Sequence, residues 1–223
     1  MGIAKFLFGK IAKLIAAKGV YVTKSLSYRS KPQKVSINYD YIRYSTLGLC
    51  YERIIENNVK GNVAELGVYQ GNFSSRLNQL FKDRKLYLFD TFEGFDNRDV
   101  SVEKENNFSK GTQDFSNTSV ELVMDKMTYQ NNCVIKKGFF PESASDVSDR
   151  FCFVSIDADL YEPIYSGLSF FYPRLEKGGY IFVHDYNNEL YKGAKIAVEE
   201  FCSKFDINYV PIPDGGGTII ITK

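Results

Sequence analysis

Asn208-Tyr209-Val210-Pro211-Ile212 and Thr218-Ile219-Ile220-Ile221-Thr222 are two strand-like runs joined only by Pro213, Asp214 and Gly215-Gly216-Gly217. A parallel crossover needs a dozen or more residues, so this short link permits only an antiparallel hairpin. Upstream the pattern differs. Short apolar runs at 63–68, 85–90, 133–136, 151–157 and 180–183 alternate with helical segments. Runs apolar at consecutive positions suit parallel strands covered on both faces, with the helices as crossovers. The expected fold is α/β: a doubly wound, mostly parallel seven-stranded sheet with one antiparallel strand.

The composition narrows the functional classes. The chain has 223 residues, 44% apolar and 15% aromatic, enough to bury a full core in one domain. Its 28 Lys and Arg face 27 Asp and Glu, so no overall basic field exists to hold a nucleic acid. Cys50, Cys133, Cys152 and Cys202 follow no metal-finger spacing and mostly lie in apolar runs, as reduced thiols do. A cytoplasmic protein is expected.

Residues 1–24 set Lys5, Lys10, Lys13 and Lys18 among Ile3, Phe6, Leu7, Ile11, Leu14 and Ile15, a basic amphipathic helix rather than a secretion signal. Phe6 stands where a myristoylation signal wants Ser or Thr, and no apolar run is long enough to span a bilayer. A second helical stretch, 40–57, carries Tyr44, Leu47 and Tyr51 at helical spacing. Residues 1–60 therefore read as a helical appendage and 61–223 as the main domain. Residues 91–118, dense in Asn, Ser, Asp, Lys and Gly without sustained periodicity, are expected to form a lid.

The chemistry gathers at strand ends. Glu65-Leu66-Gly67-Val68-Tyr69-Gln70-Gly71-Asn72 ends the first strand and opens a helix, a glycine turn whose Gly67 and Gly71 allow close backbone approach to a ligand. Asp90 closes the second strand, where its carboxylate either accepts hydrogen bonds from both ribose hydroxyls of a nucleoside or caps a turn. Glu65 either holds a ligand ammonium or orients the turn. Asp157 and Asp159 end the fourth strand and His184-Asp185 the fifth. Carboxylates gathered at the ligand-binding edge need a cation or a proton to neutralise them, which makes a divalent-metal site an expectation there. Asp159 reads as the cap of the helix starting near Tyr161. His184, the sole histidine, stands as metal ligand, general base or structural imidazole.

At these positions the sequence resembles the macrocin O-methyltransferase (TylF/MycF-like) family, over roughly 41–223. The residues carrying the resemblance are Ala64-Glu65-Leu66-Gly67-Val68-Tyr69-Gln70-Gly71, Phe89-Asp90-Thr91-Phe92-Glu93-Gly94-Phe95, Lys137-Gly138-Phe139-Phe140-Pro141, Ile156-Asp157-Ala158-Asp159-Leu160-Tyr161, Tyr172-Pro173-Arg174-Leu175, Gly178-Gly179 and Asp185-Tyr186. The resemblance implies a class I, Rossmann-like fold and S-adenosylmethionine at Glu65, Gly67, Tyr69, Gly71, Asp90, Thr91, Gly138, Phe139 and Asp157. It implies a magnesium ion, held by carboxylates at the fourth and fifth strand ends, which here are Asp157, His184 and Asp185. It also implies a small sugar-containing acceptor methylated on a hydroxyl, and a homo-oligomer. One departure stands out: His184-Asp185-Tyr186 occupies the place of the family's usual Asp-Asp-Tyr, and magnesium prefers oxygen ligands to imidazole.

The expected reaction is an in-line displacement at the sulfonium methyl, with Asp157 or His184 as proton acceptor. Two other readings remain open at this point. A nicotinamide-dependent oxidoreductase shares the glycine turn and the ribose acid but stays parallel where this chain has its hairpin. A membrane-surface or scaffold protein would work through residues 1–24.

Overall fold

The computed structural model describes residues 40–223, and all of them belong to one compact unit that begins at Ser36. Helix α1 (Tyr41–Glu56) leads into β1 (Asn62–Leu66), α2 (Asn72–Leu80), β2 (Leu86–Asp90), α3 (Asn97–Glu105), α4 (Val120–Met124) and β3 (Cys133–Lys137). Then come β4 (Phe151–Ile156), α5 (Tyr161–Arg174), β5 (Leu175–Val183), α6 (Lys192–Lys204), β6 (Val210–Ile212) and β7 (Thr218–Thr222). The strand order is β3-β2-β1-β4-β5-β7-β6, parallel throughout except that β7 runs antiparallel to both β5 and β6. The hairpin thus closes the sheet as expected.

The consecutive apolar runs follow from burial on both faces. Val63, Leu86, Leu88, Phe153 and Phe182 are all buried, and rings link this face to the helices: Tyr51 of α1 meets Phe81, Phe81 stacks on Phe153, and Phe153 meets Phe182. On the other face Ala64, Leu66, Phe89, Val154 and Ile181 join Leu168 and Phe171 of α5 and Val198 and Phe201 of α6. Strand alternation between two apolar faces leaves the carboxyl ends of β1, β2, β4 and β5 as the place where polar groups emerge.

Three boundaries differ from those read in the sequence. β1 stops at Leu66 because the chain turns at Gly67, whose φ is 83°. Residues 91–118 contain α3, capped by Asp96, which accepts from the Arg98 amide at 2.9 Å. That helix buries Asp99, Val100 and Glu103, so carboxylates occupy positions where an apolar stripe would have signalled it. The helix at 41–56 packs on the sheet within the main unit, so only residues before Ser36 lie outside it. The basic helix read at 1–24 lies outside the described residues. Among the described residues no helix is long and apolar enough to cross a membrane.

Candidate active site

A cavity of about 580 Å³ opens at the carboxyl edge of the sheet, within the size range of small-molecule sites. Its first half is built from backbone. After β1 the chain turns at Gly67 and Tyr69, both at positive φ, and enters α2. The turn is held open by Asp90: Oδ2 accepts from the amides of Val68 at 2.7 Å and Tyr69 at 2.9 Å, and Oδ1 accepts from the Phe92 amide at 2.7 Å. Asp90 is therefore a turn cap, and it also lines the cavity. Gly67 serves protein packing, since a Cβ there would lie 2.0 Å from the Asp157 carbonyl oxygen.

Tyr69, Thr91, Gly138 and Phe139 line the cavity with Gly67 and Asp90. Glu65 and Gly71, also expected there, are not among its walls. Glu65 is buried beneath the turn, bonded to the Ser74 hydroxyl, and burial pushes it up to about 8. A Cβ on Gly71 would meet Val123 and Met127 rather than a ligand.

The second half is built from charged side chains. His184 Nδ1 lies 3.1 Å from Asp157 Oδ1 and 3.0 Å from Asp185 Oδ2. The other Asp157 oxygen, Oδ2, accepts from the Arg43 guanidinium at 2.9 Å, and Arg43 also donates to Ser155 Oγ at 3.1 Å. Burial works against the charged carboxylate, but Arg43 and His184 hold Asp157 well below the usual carboxylate range. Against burial, which lowers it, Asp157 in turn raises His184 to about 10. The two groups nominated as proton acceptors are thus held as a carboxylate of low basicity and an imidazolium. Asp159 is pushed well up by burial and by the Asp185 and Asp157 carboxylates beside it.

Asp159 does not cap α5. The Tyr161 amide instead donates to Glu103 Oε1 of α3 at 2.8 Å, and Gly193 at the start of α6 leaves room for the same oxygen. Glu103 is fully buried at the two helix N-termini, where the dipoles favour an anion.

Asp157, His184 and Asp185 each offer one ligand atom, all within 4.8 Å of one another, a spacing that suits a metal. The donor chemistry does not suit magnesium. Both Asp157 oxygens face nitrogen donors, the third ligand is an imidazole, and a guanidinium adds positive charge where a cation would need to sit.

Sequence reasoning missed Arg43, the Glu103 cap, and the wall formed by Phe95, Asp99, Phe115 and Tyr191. Arg43 had a signal: with Leu47, Cys50 and Ile54 it falls on the buried stripe of α1, where a charge requires a buried partner. Phe115 and Tyr191 belong to ring contacts between segments distant in sequence, Tyr69 with Phe115 and Phe95 with both Phe115 and Tyr191, which periodicity does not reveal.

Sheet order, hairpin and a glycine turn pinned by a strand-end carboxylate are those of a class I S-adenosylmethionine-dependent methyltransferase. More narrowly, the chain belongs to the macrocin O-methyltransferase (TylF) family, whose profile matches residues 35–213, and it is an O-methyltransferase. It is 26% identical over 179 residues to demethyldecarbamoylnovobiocin O-methyltransferase of Streptomyces niveus, covering 74% of this chain and 67% of that one. It is 24% identical over 188 residues to 8-demethyl-8-(2,3-dimethoxy-alpha-L-rhamnosyl)-tetracenomycin-C 4'-O-methyltransferase of Streptomyces olivaceus, covering 79% and 70%. The solved structure of the O-methyltransferase NovP shares the fold at a TM-score of 0.67 and 24% identity, over 81% of this chain and 79% of that one.

Proposed function

We propose that the protein transfers the methyl group of S-adenosylmethionine to a hydroxyl of a sugar-containing small molecule. The observation that carries this reading is one cavity joining Asp90, suited to a nucleoside ribose, to the charged cluster at Asp157, Asp159, His184 and Asp185. The names of the two curated relatives support the sugar-containing acceptor.

In this reading the acceptor oxygen attacks the methyl carbon, the C–S bond breaks with its electron pair moving to sulfur, and S-adenosylhomocysteine leaves. The hydroxyl proton passes to the carboxyl groups of Asp159 and Asp185, which line the same cavity. His184 and Arg43 keep Asp157 ionised, where it would face the positively charged cofactor once bound, and no step runs through a metal. Residues 91–118 act as the lid: Glu103 anchors α3, while Tyr69 donates to Asn117 Oδ1 at 2.7 Å and Tyr191 to Gln113 Oε1 at 2.8 Å across the cavity mouth. Such closure holds oxygen, carbon and sulfur in line and excludes water. A cytoplasmic homo-oligomer completes the reading, supported by the exposed Tyr41, Ile42, Leu49 and Ile55 of α1; light scattering measures the assembly.

Calorimetric titration with S-adenosylhomocysteine, with NAD as the control, tests the cofactor half. Micromolar binding of the thioether alone is expected, and the absence of such binding would sink the reading. A screen of glycosides with radiolabelled S-adenosylmethionine then tests the acceptor class.

A further inference from the structure

We propose that Arg43 and His184 fill the place a divalent cation would take between Asp157 and Asp185, and that this protein binds no such cation there. The proposal deepens the methyltransferase reading at its own site, although its test does not depend on turnover.

Arg43 is delivered and fixed by the fold. Asp40 caps α1 by accepting from the Ile42 and Arg43 amides and also accepts from Gly215 in the hairpin loop, which ties the start of the helix to the sheet end. The guanidinium sits 4.1 Å over the Phe73 ring while bonded to Asp157 and Ser155, so it is clamped on several sides and largely buried. A guanidinium stays charged at any physiological pH, and swinging it away would leave Asp157 short of its counter-ion.

His184 excludes a metal for a geometric reason. A carboxylate only accepts hydrogen bonds, so an Nδ1 placed 3.0 and 3.1 Å from two carboxylate oxygens carries hydrogen and offers no lone pair. The ring's other edge packs under Gly216, where an added Cβ would lie 3.4 Å from Nε2. Asp185 Oδ1 is also engaged, accepting from Asn188 at 2.9 Å. All four carboxylate oxygens of Asp157 and Asp185 therefore already face a side-chain nitrogen, from Arg43, His184 or Asn188. Seating a divalent ion would require removing the Nδ1 hydrogen and placing two further charges beside Arg43.

The test titrates the full chain with Mn²⁺ followed by electron paramagnetic resonance, and with Zn²⁺ by calorimetry. Calorimetry with S-adenosylhomocysteine runs on the same samples, with and without EDTA. Wild-type protein is expected to leave the free Mn²⁺ signal undiminished, to take up no Zn²⁺ at this cluster, and to bind the thioether equally well in EDTA. His184→Asp, which supplies a third carboxylate in place of the imidazole, is expected to tighten Mn²⁺ binding by about tenfold or more. Arg43→Met carries the same expectation should His184→Asp not fold. Stoichiometric Mn²⁺ or Zn²⁺ binding by the wild type, lost in Asp157→Asn, would overturn the proposal. So would a folded His184→Asp that binds Mn²⁺ no better than wild type. Failure to bind S-adenosylhomocysteine would strike the methyltransferase reading alone and leave the metal result standing.

Discussion

The two halves of the cavity solve the problem of binding polar ligands by different means. On the β1–β2 side, amides of a tight turn are ordered by one carboxylate, and every partner lies within about one crossover of the next: Asp90 reaches Val68 and Tyr69, 22 and 21 residues back. On the β4–β5 side, four ionisable groups from two strand ends are balanced by an arginine 114 residues away from the aspartate it meets. The first half is built from backbone geometry that only certain residues permit. The second depends on charge balance, which several residue combinations could satisfy. A glycine is thus hard to replace in the first half.

The sharpest way to break the comparison is at a close backbone approach between the halves. Gly67→Ala forces a Cβ to within 2.0 Å of the Asp157 carbonyl at a φ of 83°. Both strand ends must then part, and a loss of about 4 kcal/mol or more in unfolding free energy is expected by urea denaturation. A loss below about 1 kcal/mol would show that the two edges are not rigidly joined.

The charged half alone is probed by pH. His184 has a folded-state value raised to about 10 against about 6.5 in the unfolded chain. Its stabilising contribution is therefore complete below about pH 6.5 and is lost as pH rises through about 10. The stability gap between wild type and His184→Asn should be on the order of 2–3 kcal/mol near pH 6 and should narrow steadily toward pH 10. A gap that stays constant over that range would mean the ring is not held as a cation.

The backbone half is probed by Asp90→Asn, which keeps the shape but removes the charge that both turn amides and a ribose would share. S-adenosylhomocysteine affinity should fall about 10–100-fold by calorimetry, with little change in the Mn²⁺ behaviour of the other half. Unchanged affinity would remove Asp90 from the cofactor site and leave it a turn cap only.

The same contrast explains what could be read in the sequence. The hairpin, the alternation of strands and helices, Gly67 and Asp90 are signalled by local spacing, because their partners are near in sequence or fixed by strand order. His184, Asp157 and Asp185 were also found, since strand ends are where an open sheet gathers ligand-binding groups. Their protonation states were not legible: they depend on Arg43, whose partner is set by how α1 packs on the sheet. α3 escaped notice for a related reason, because its inward positions are Asp99 and Glu103, acids that burial makes costly unless tertiary structure supplies donors.

Glu103 yields the smallest effect and the finest discrimination. Position alone favours Asp159 as the cap of α5, whereas the hydrogen bond to the Tyr161 amide comes from Glu103 on another helix. Removing a cap costs about 1 kcal/mol, or about 2–4 °C in melting temperature for a domain of this size. Glu103→Ala should show that loss by calorimetric melting, together with faster amide exchange in residues 97–119, because the same carboxylate ties α3 to the start of α5. Asp159→Asn should cost nothing in melting temperature, since it removes a buried acid beside two carboxylates and leaves the cap untouched. If Asp159→Asn frays α5 while Glu103→Ala does not, the cap is local after all, and α3 loses the anchor on which the proposed lid depends.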